Sequence, residues 1–178
     1  MDAESFKKAL EEAKPSIEAL MRDGLSWDDA MDITASWEVR DRTHREQNLL
    51  PDRTLSELFS RCDVSKIEVG MVRLHKNPEP VRRGWQIGQV EADDLILDIN
   101  SGEIIVLSID AVDHIMWRCA RNGSSFLSAL ALTAEYYGKC AINDLHGKEA
   151  QKHAFEACTL AAGGPSYSNF YRMLLGVE

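Results

Sequence analysis

The chain has 178 residues, enough for one domain with a substantial core and too few for two independent domains. Its apolar fraction of 44% and charged fraction of 28% are those of a globular protein and exclude a disordered tail. A formal charge of −9 argues against binding to nucleic acid, which requires a basic surface; it suits a basic protein partner, or serves solubility alone.

The opening stretch, MDAESFKKALEEAKPS, contains acidic residues and lacks the apolar run of a signal peptide. No stretch approaches the roughly 18 apolar residues of a membrane span. The sequence therefore predicts a cytoplasmic protein without membrane contact. The cysteines are widely separated, with no C-x-x-C pair, which favours small buried thiols over a zinc site or a disulfide framework. They are Cys62, Cys119, Cys140 and Cys158.

Two helices are predicted at the start of the chain. Over residues 2–23 apolar residues recur at the helical period, interrupted at Pro15, which indicates an amphipathic helix with a break or kink. Ser26 can cap a second helix, predicted to end within the polar run 40–48. Trp27 belongs to the apolar face of that helix and is predicted to be a core residue, as are the other tryptophans.

The next segment is predicted to change from helix to sheet. After a turn at Pro51-Asp52, a short helix is predicted with Thr54 as N-cap and Glu57 as its capping-box partner. Beyond it the stretch KIEVGMVRLH alternates with a period of two, which predicts one strand over 66–75. The two prolines of KNPEPVRRG predict a loop, since proline cannot donate to a sheet ladder.

Three further strands are predicted from WQIGQVE, DLILDI and EIIVLSI. Their short connections indicate a meander and hence an antiparallel sheet of about four or more strands. Gly102 suits the left-handed position of a three-residue hairpin loop. The register of DAVDHIMWRCA stays open at this stage.

The C-terminal third is predicted to be helical. Asn122 or Ser124 caps a helix that should end near Gly138, a second helix covers 144–161, and SYSNFYRMLLG forms a short terminal helix. The fold class predicted from the whole pattern is α+β, with a meander sheet flanked by helices and helical N- and C-terminal segments.

No catalytic residue, cofactor or metal site is predicted. His146 and His153 are seven residues apart without an acidic ligand at helical spacing, which argues against a metal site. NGSSF lacks the second glycine of a nucleophile elbow and is more simply a helix start. An enzyme with an unrecognised site, built on His114, Asp98 and Ser124 or Ser125, is the least favoured alternative.

Five acidic residues cluster around the predicted β-hairpin and are the candidate partner-binding residues. Exposed acids at turns are common, but a shared acidic face would suit a basic protein partner. These residues are Glu91, Asp93, Asp94, Asp98 and Glu103.

Four stretches resemble one protein family in their order. The first, LLPDRTLSELF, resembles the Leu-Pro start of the family with its short helix. The second, WQIGQVEADDLILDINSGEIIVL, resembles its glycine-containing strand with an acidic turn and a hairpin. The third, RNGSSFLSALAL, resembles its Ser-Phe helix, and the helical C-terminus is the fourth match. Over roughly 49–138 the chain is therefore similar to the SUKH superfamily. Within a single domain of 1–178, residues 1–48 would form a helical extension and 139–178 additional C-terminal helices.

The resemblance implies a bacterial immunity protein that is not an enzyme. Such a protein binds and neutralises a toxin domain, possibly a nuclease or deaminase, and the acidic charge is compatible with that role. A cytosolic adaptor or regulatory module of the same fold is the alternative. The sequence predicts neither the identity of the partner nor the oligomeric state.

Overall fold

Three capped helices begin the chain in the computed structural model, which describes residues 1–43, 50–111, 113–142 and 147–177. Helix α1 spans Ala3–Ala13 and α2 spans Ile17–Arg22, so the break predicted at Pro15 is confirmed. Helix α3 spans Trp27–Ala35, and the Ser26 side chain accepts the Asp29 N–H as its cap.

The predicted end of the second helix within 40–48 is wrong. The chain leaves the helix at Ala35, and strand β1, Arg40–Asp41, pairs antiparallel with β2, Cys62–Asp63. Trp37 and Val39, in the connection from α3 to β1, are buried. Pairing with a distant segment therefore overrides the local helical pattern.

Helix α4 spans Arg53–Arg61, and its cap is Asp52 instead of the predicted Thr54. One Asp52 carboxylate oxygen accepts the Leu55 N–H at 2.9 Å. The other oxygen accepts the Gly123 N–H at 2.9 Å, at the beginning of a second helix. A single carboxylate thus satisfies the ends of two helices, which explains the choice of cap.

The strand predicted over 66–75 is a hairpin of two strands, so that prediction is wrong. Strand β3, Glu68–Val69, pairs with the first residues of β4, Val72–Val81. The chain turns at Gly70, whose φ of +58° favours glycine. Because the turn resets the alternation, Ile67, Val69, Val72 and Leu74 are all buried.

The predicted loop KNPEPVRRG is also wrong for its first six residues, which belong to β4. The register of β4 shifts between Leu74 and Glu79, and Pro80 pairs with Trp85 of the next strand. On its other side β4 is bonded to β3 only at Val72 and Arg73. The prolines therefore occupy an otherwise unpaired edge, where a missing N–H costs no ladder bond.

Six antiparallel strands form the main sheet in the order β3-β4-β5-β6-β7-β8, which confirms the α+β class and the meander. The remaining strands are β5 Gly84–Val90, β6 Asp93–Asp98, β7 Ile104–Leu107 and β8 Ile115–Ala120. Gly102 has a φ of +74° in the β6–β7 turn, in the left-handed region as predicted.

The C-terminal helices follow β8 directly. Helix α5 spans Gly123–Ala141 with Asn122 as its cap, α6 spans Lys148–Ala162, and α7 spans Ser168–Leu175 after a 3₁₀ turn at Pro165–Tyr167. The predicted end of α5 near Gly138 is wrong because that glycine serves packing. A Cβ there would lie 2.0 Å from the Ala13 carbonyl oxygen. The predicted start of α6 at 144 lies outside the described residues.

The core lies between one face of the sheet and the helices. Leu95 and Leu97 of β6 and Ile104 and Val106 of β7 join this core, together with Phe6 of α1. The N-terminal helix is therefore an integral part of the core. No helix in the described ranges is long and apolar enough to cross a membrane.

The opposite face of the sheet carries a second, smaller apolar contact. Ile96 and Ile105 are cross-strand partners that are fully buried but belong to no part of the main core. The ion pair between Arg82 and Asp113, at 3.2 Å, joins the β4–β5 and β7–β8 connections. In a meander these connections leave opposite ends of the sheet, so one of them must reach back towards the other.

Candidate partner-binding surfaces

The five predicted partner-binding acids lie in two groups at opposite ends of β6. Asp93 and Asp94 begin the strand and Asp98 ends it, so these ends are roughly 16 Å apart at the usual rise per residue. Glu91 lies in the turn before β6, and Glu103 lies directly before β7. The structure therefore does not bring the five acids together as one surface.

Asp98 is a buried structural residue. Its carboxylate accepts the Ser101 hydroxyl at 2.8 Å and the Asn100 N–H at 3.3 Å, and Arg83 Nε lies 3.4 Å away. Burial by itself raises the pKa of Asp98, but these bonds to the charged form outweigh it, and the net pKa is lowered from 3.8. Because its side chain is only 3% exposed, Asp98 holds the β6–β7 turn and has little area for a partner.

Glu103 is occupied by two side chains from later in the chain. Its carboxylate pairs with the Arg118 guanidinium, with Nε at 3.0 Å, and accepts the Tyr167 hydroxyl at 2.7 Å. Burial, and then the bond to Glu103, raise the pKa of Tyr167 to about 12. Glu103 therefore connects the sheet to the 3₁₀ turn before α7.

The other three acids remain at the surface, fully or in part. Asp93 accepts the Ile109 N–H at 3.0 Å and Asp94 accepts the Gln86 side-chain amide at 2.6 Å, which fixes both carboxylates. Glu91 is exposed and has a φ of +55°. This left-handed conformation is uncommon for a residue other than glycine and asparagine and costs of order 1 kcal/mol.

Exposed apolar side chains lie beside these acids. Asp94 pairs across the sheet with Leu107, and Leu107 pairs with Ile115, so the three side chains share one face. Ile115 is exposed, and Ile109 is 63% exposed. We call Glu91, Asp93, Asp94, Ile109 and Ile115 the sheet-end surface.

A second exposed surface, which the sequence pattern does not predict, lies on α2 and α3. Trp27 is 56% exposed, so its prediction as a core residue is wrong. Leu20 is buried on α2, and Ala30, Thr34 and Trp37 are buried on α3 and directly after it. Helical spacing places Trp27 and Met31 beside the buried side of α3. The acids next to Trp27 in the sequence were the signal that it faces solvent.

The charges around Trp27 are almost all negative. Residues 16–37 contain five acids and one base, Arg22. The acids are Glu18, Asp23, Asp28, Asp29 and Asp32. We call Met21, Trp27 and Met31 together with Glu18, Asp28 and Asp32 the acidic hairpin surface.

A groove of about 490 Å³ lies between α5 and α6. Its floor is apolar, with Leu132, Tyr136 and Ala154, and its rim includes His153 and the Glu135–Lys139 ion pair at 2.5 Å. Burial, followed by a bond to Cys140, raises the pKa of Tyr136 to about 12. The rim carries both signs of charge and so selects no class of ligand.

Only one of the two histidines at helical spacing, His153, lies among the described residues. His153 lies on the exposed side of α6, and His146 lies outside the described residues. Among the described residues, no three His, Cys, Asp or Glu side chains converge as a metal site would require. Cys62, Cys119 and Cys158 are buried as predicted, whereas Cys140 is half-buried.

Comparison of the chain with protein-family models, with curated proteins and with solved structures gives no match in any of the three.

Proposed function

We propose that this protein is a cytoplasmic, non-enzymatic binding protein that neutralises a basic toxin domain by covering it. The observation that carries the proposal is the sheet-end surface. There Asp93 accepts the N–H of the exposed Ile109, Asp94 and the exposed Ile115 are both cross-strand partners of Leu107, and Glu91 lies in the turn before β6. Acids that surround exposed apolar side chains suit a protein partner, because the apolar contact contributes affinity and the charges select the partner.

The charge of the surface defines the chemistry of the partner. A nuclease or nucleic-acid deaminase binds phosphates in a basic groove, and carboxylates held at fixed positions can take the place of those phosphates. Asp93 and Asp94 are held in this way by the Ile109 N–H and the Gln86 amide. Opposite charges also accelerate association, which an inhibitor of a fast toxin requires.

The resemblance of 49–138 to the SUKH superfamily supports the immunity role over other kinds of protein binding. Two predicted residues leave the proposed interface, because Asp98 and Glu103 are engaged within the fold. The retained acids and the apolar residues form a smaller surface than the one predicted from the sequence. The proposal therefore concentrates binding at the β5–β6 turn and the neighbouring β7–β8 connection.

The test is binding to the protein encoded by the adjacent gene in the native host. The double variant Glu91→Lys/Asp94→Lys should slow association at least about tenfold at low salt and weaken its salt dependence, as measured by stopped-flow fluorescence. The matched control, Glu11→Lys/Glu149→Lys, makes the same change of net charge at exposed acids on α1 and α6. It should change the rate less than about threefold.

Three other results would each contradict one part of the proposal. Equal association rates for the double variant and its control would remove the sheet-end surface from the interface. A cellular client that binds in place of a toxin would favour the adaptor. Turnover of the toxin or of a small molecule by the purified protein would contradict the non-enzymatic role.

A further inference from the structure

Trp27 is an anchor side chain held ready on a rigid helix. It occupies the first helical position of α3, behind the Ser26 cap, and is 56% exposed. Met31, one turn further along the same face, is 43% exposed. Tryptophan is among the residue types most enriched in interface hot spots, and the Ser26 cap fixes the backbone that presents this one.

Met21 is a third exposed apolar side chain, on the neighbouring helix. It lies in the last turn of α2 and is 44% exposed. The connection from α2 to α3 is only four residues long, so Met21 and Trp27 both lie at the connecting end of the helical hairpin. Three of the exposed large apolar side chains therefore fall within an eleven-residue stretch, 21–31.

Three acids of this hairpin, Glu18, Asp28 and Asp32, are exposed. Asp28 and Asp32 are one turn apart on α3, a spacing at which like charges repel each other. Neither they nor Glu18 form an ion pair within the described part of the chain. A cationic ligand would therefore relieve repulsion that the fold leaves in place.

We infer that the acidic hairpin surface is a second docking surface, and that it binds a basic amphipathic segment of another protein. Nucleic acid and anionic membranes are repelled by its charge. A second copy of this chain would bring the same acids face to face, so self-association through this surface is opposed as well. A segment with apolar residues for Trp27 and Met31 and lysines or arginines for Asp28 and Asp32 satisfies both features.

This inference does not depend on the sheet-end surface, and the test uses variants that leave that surface intact. The probe is a fluorescein-labelled amphipathic peptide with leucines on one helical face and lysines on the other. Its affinity for the full chain is measured by fluorescence anisotropy. Trp27→Ala should weaken binding at least about tenfold, and Trp27→Phe should restore it to within about threefold of wild type.

Two matched controls separate this site from general charge attraction. Leu160 on α6 is 78% exposed and apolar, and Leu160→Ala should leave the affinity unchanged. Asp28→Asn/Asp32→Asn should weaken binding about tenfold, whereas Glu11→Gln/Glu149→Gln, with the same change in net charge, should have little effect. Both pairs should be compared at the same ionic strength.

Several results would overturn the inference. The first is an affinity that Trp27→Ala leaves unchanged and that falls equally in Asp28→Asn/Asp32→Asn and Glu11→Gln/Glu149→Gln. Binding of the peptide would then be non-specific charge attraction. Equal binding of a peptide with glutamates in place of lysines would contradict the selection by charge. A wild-type dimer in sedimentation velocity that Trp27→Ala converts to monomer would assign the surface to a second copy instead.

Discussion

Replacement of Asp98 by alanine tests whether this carboxylate is structural or partner-binding. The carboxylate accepts bonds from Ser101 and Asn100, and its side chain is 3% exposed. The Asp98 backbone also bonds to both Glu103 and Gly102, which closes the hairpin. Asp98→Ala should therefore destabilise the fold, while it leaves any partner's contacts at the sheet-end surface in place.

The magnitude follows from the bonds that are lost. A hydrogen bond to a charged group contributes about 1.5–3 kcal/mol, and the Ser101 bond at 2.8 Å is the strongest candidate. The contact from Arg83 Nε to the Asp98 carboxylate is long, at 3.4 Å, and Arg83 is partly exposed. Its contribution to the stability is therefore small. Asp98→Ala should cost about 2–3 kcal/mol, equivalent to a fall in Tm of roughly 4–12 °C for a chain of this size. Asp98→Asn, which retains an acceptor, should cost about 1 kcal/mol.

The effect should depend on pH with a definite sign. Because the folded-state pKa of Asp98 lies below its unfolded-state value near 3.8, its contribution to stability is complete above that value. The contribution is lost as the pH falls through the folded-state pKa. The difference in unfolding free energy between wild type and Asp98→Asn should therefore shrink below about pH 4.

Urea denaturation followed by circular dichroism, at about pH 7 and about pH 3, measures both quantities. Glu11→Ala, at an exposed acid on α1, is the control and should stay within about 0.5 kcal/mol of wild type. An Asp98→Ala variant as stable as this control would refute the structural role. So would a difference between wild type and Asp98→Asn that is independent of pH.

Two further predictions concern packing and the Glu103 contacts. Gly138→Ala should lower the unfolding free energy by about 1–3 kcal/mol, because the new Cβ would meet the Ala13 carbonyl oxygen. The same change in an exposed helix stabilises it. A higher urea midpoint for the variant would contradict this packing. In double-mutant cycles measured by urea denaturation, Glu103 should couple to Tyr167 by at least about 1 kcal/mol. Its coupling to Arg118 should be smaller, because Arg118 is half-exposed. A larger coupling to Arg118 than to Tyr167 would contradict this prediction.

The sequence was sufficient for the fold class because its strongest patterns are local. The break at Pro15, the Ser26 cap and the left-handed Gly102 act through their nearest neighbours, and all are found where they were predicted. Asn122 is the cap of α5, one of the two residues predicted for that role. The failures arose where a distant partner decides. Asp52 replaces Thr54 as a cap because it also reaches Gly123.

The β4 region shows why strand boundaries were harder to predict. A proline normally argues against a strand, but Pro80 lies on an edge that, among the described residues, has no partner strand beyond β3. This position follows only from the strand order. Gly70 likewise turns the chain within a stretch whose period of two continues on both sides. Alternation alone cannot distinguish one long strand from a tight hairpin.

The candidate site was predicted in part. Position next to a turn correctly placed Glu91 and Asp94 at the surface, but it could not distinguish them from Asp98 and Glu103, whose partners come from Arg83, Arg118 and Tyr167. Apolar spacing predicts burial for Trp27, but spacing alone does not show that Trp27 lies at the exposed border of the apolar face.

The residues that carry the family resemblance overlap the proposed binding residues in the acidic turn, because Glu91, Asp93 and Asp94 lie within the stretch that resembles the family. Asp98 and Gly102 shape the hairpin that resembles the SUKH superfamily, and substitutions there should act first on folding. The proposed binding residues lie at the β5–β6 turn and on α2 and α3, where side chains such as Trp27 are exposed and exchangeable. Selection for a new partner could therefore change these margins and leave the hairpin intact. A chain that keeps the core and the hairpin turn but changes these exposed residues would therefore retain the fold without retaining the proposed partner.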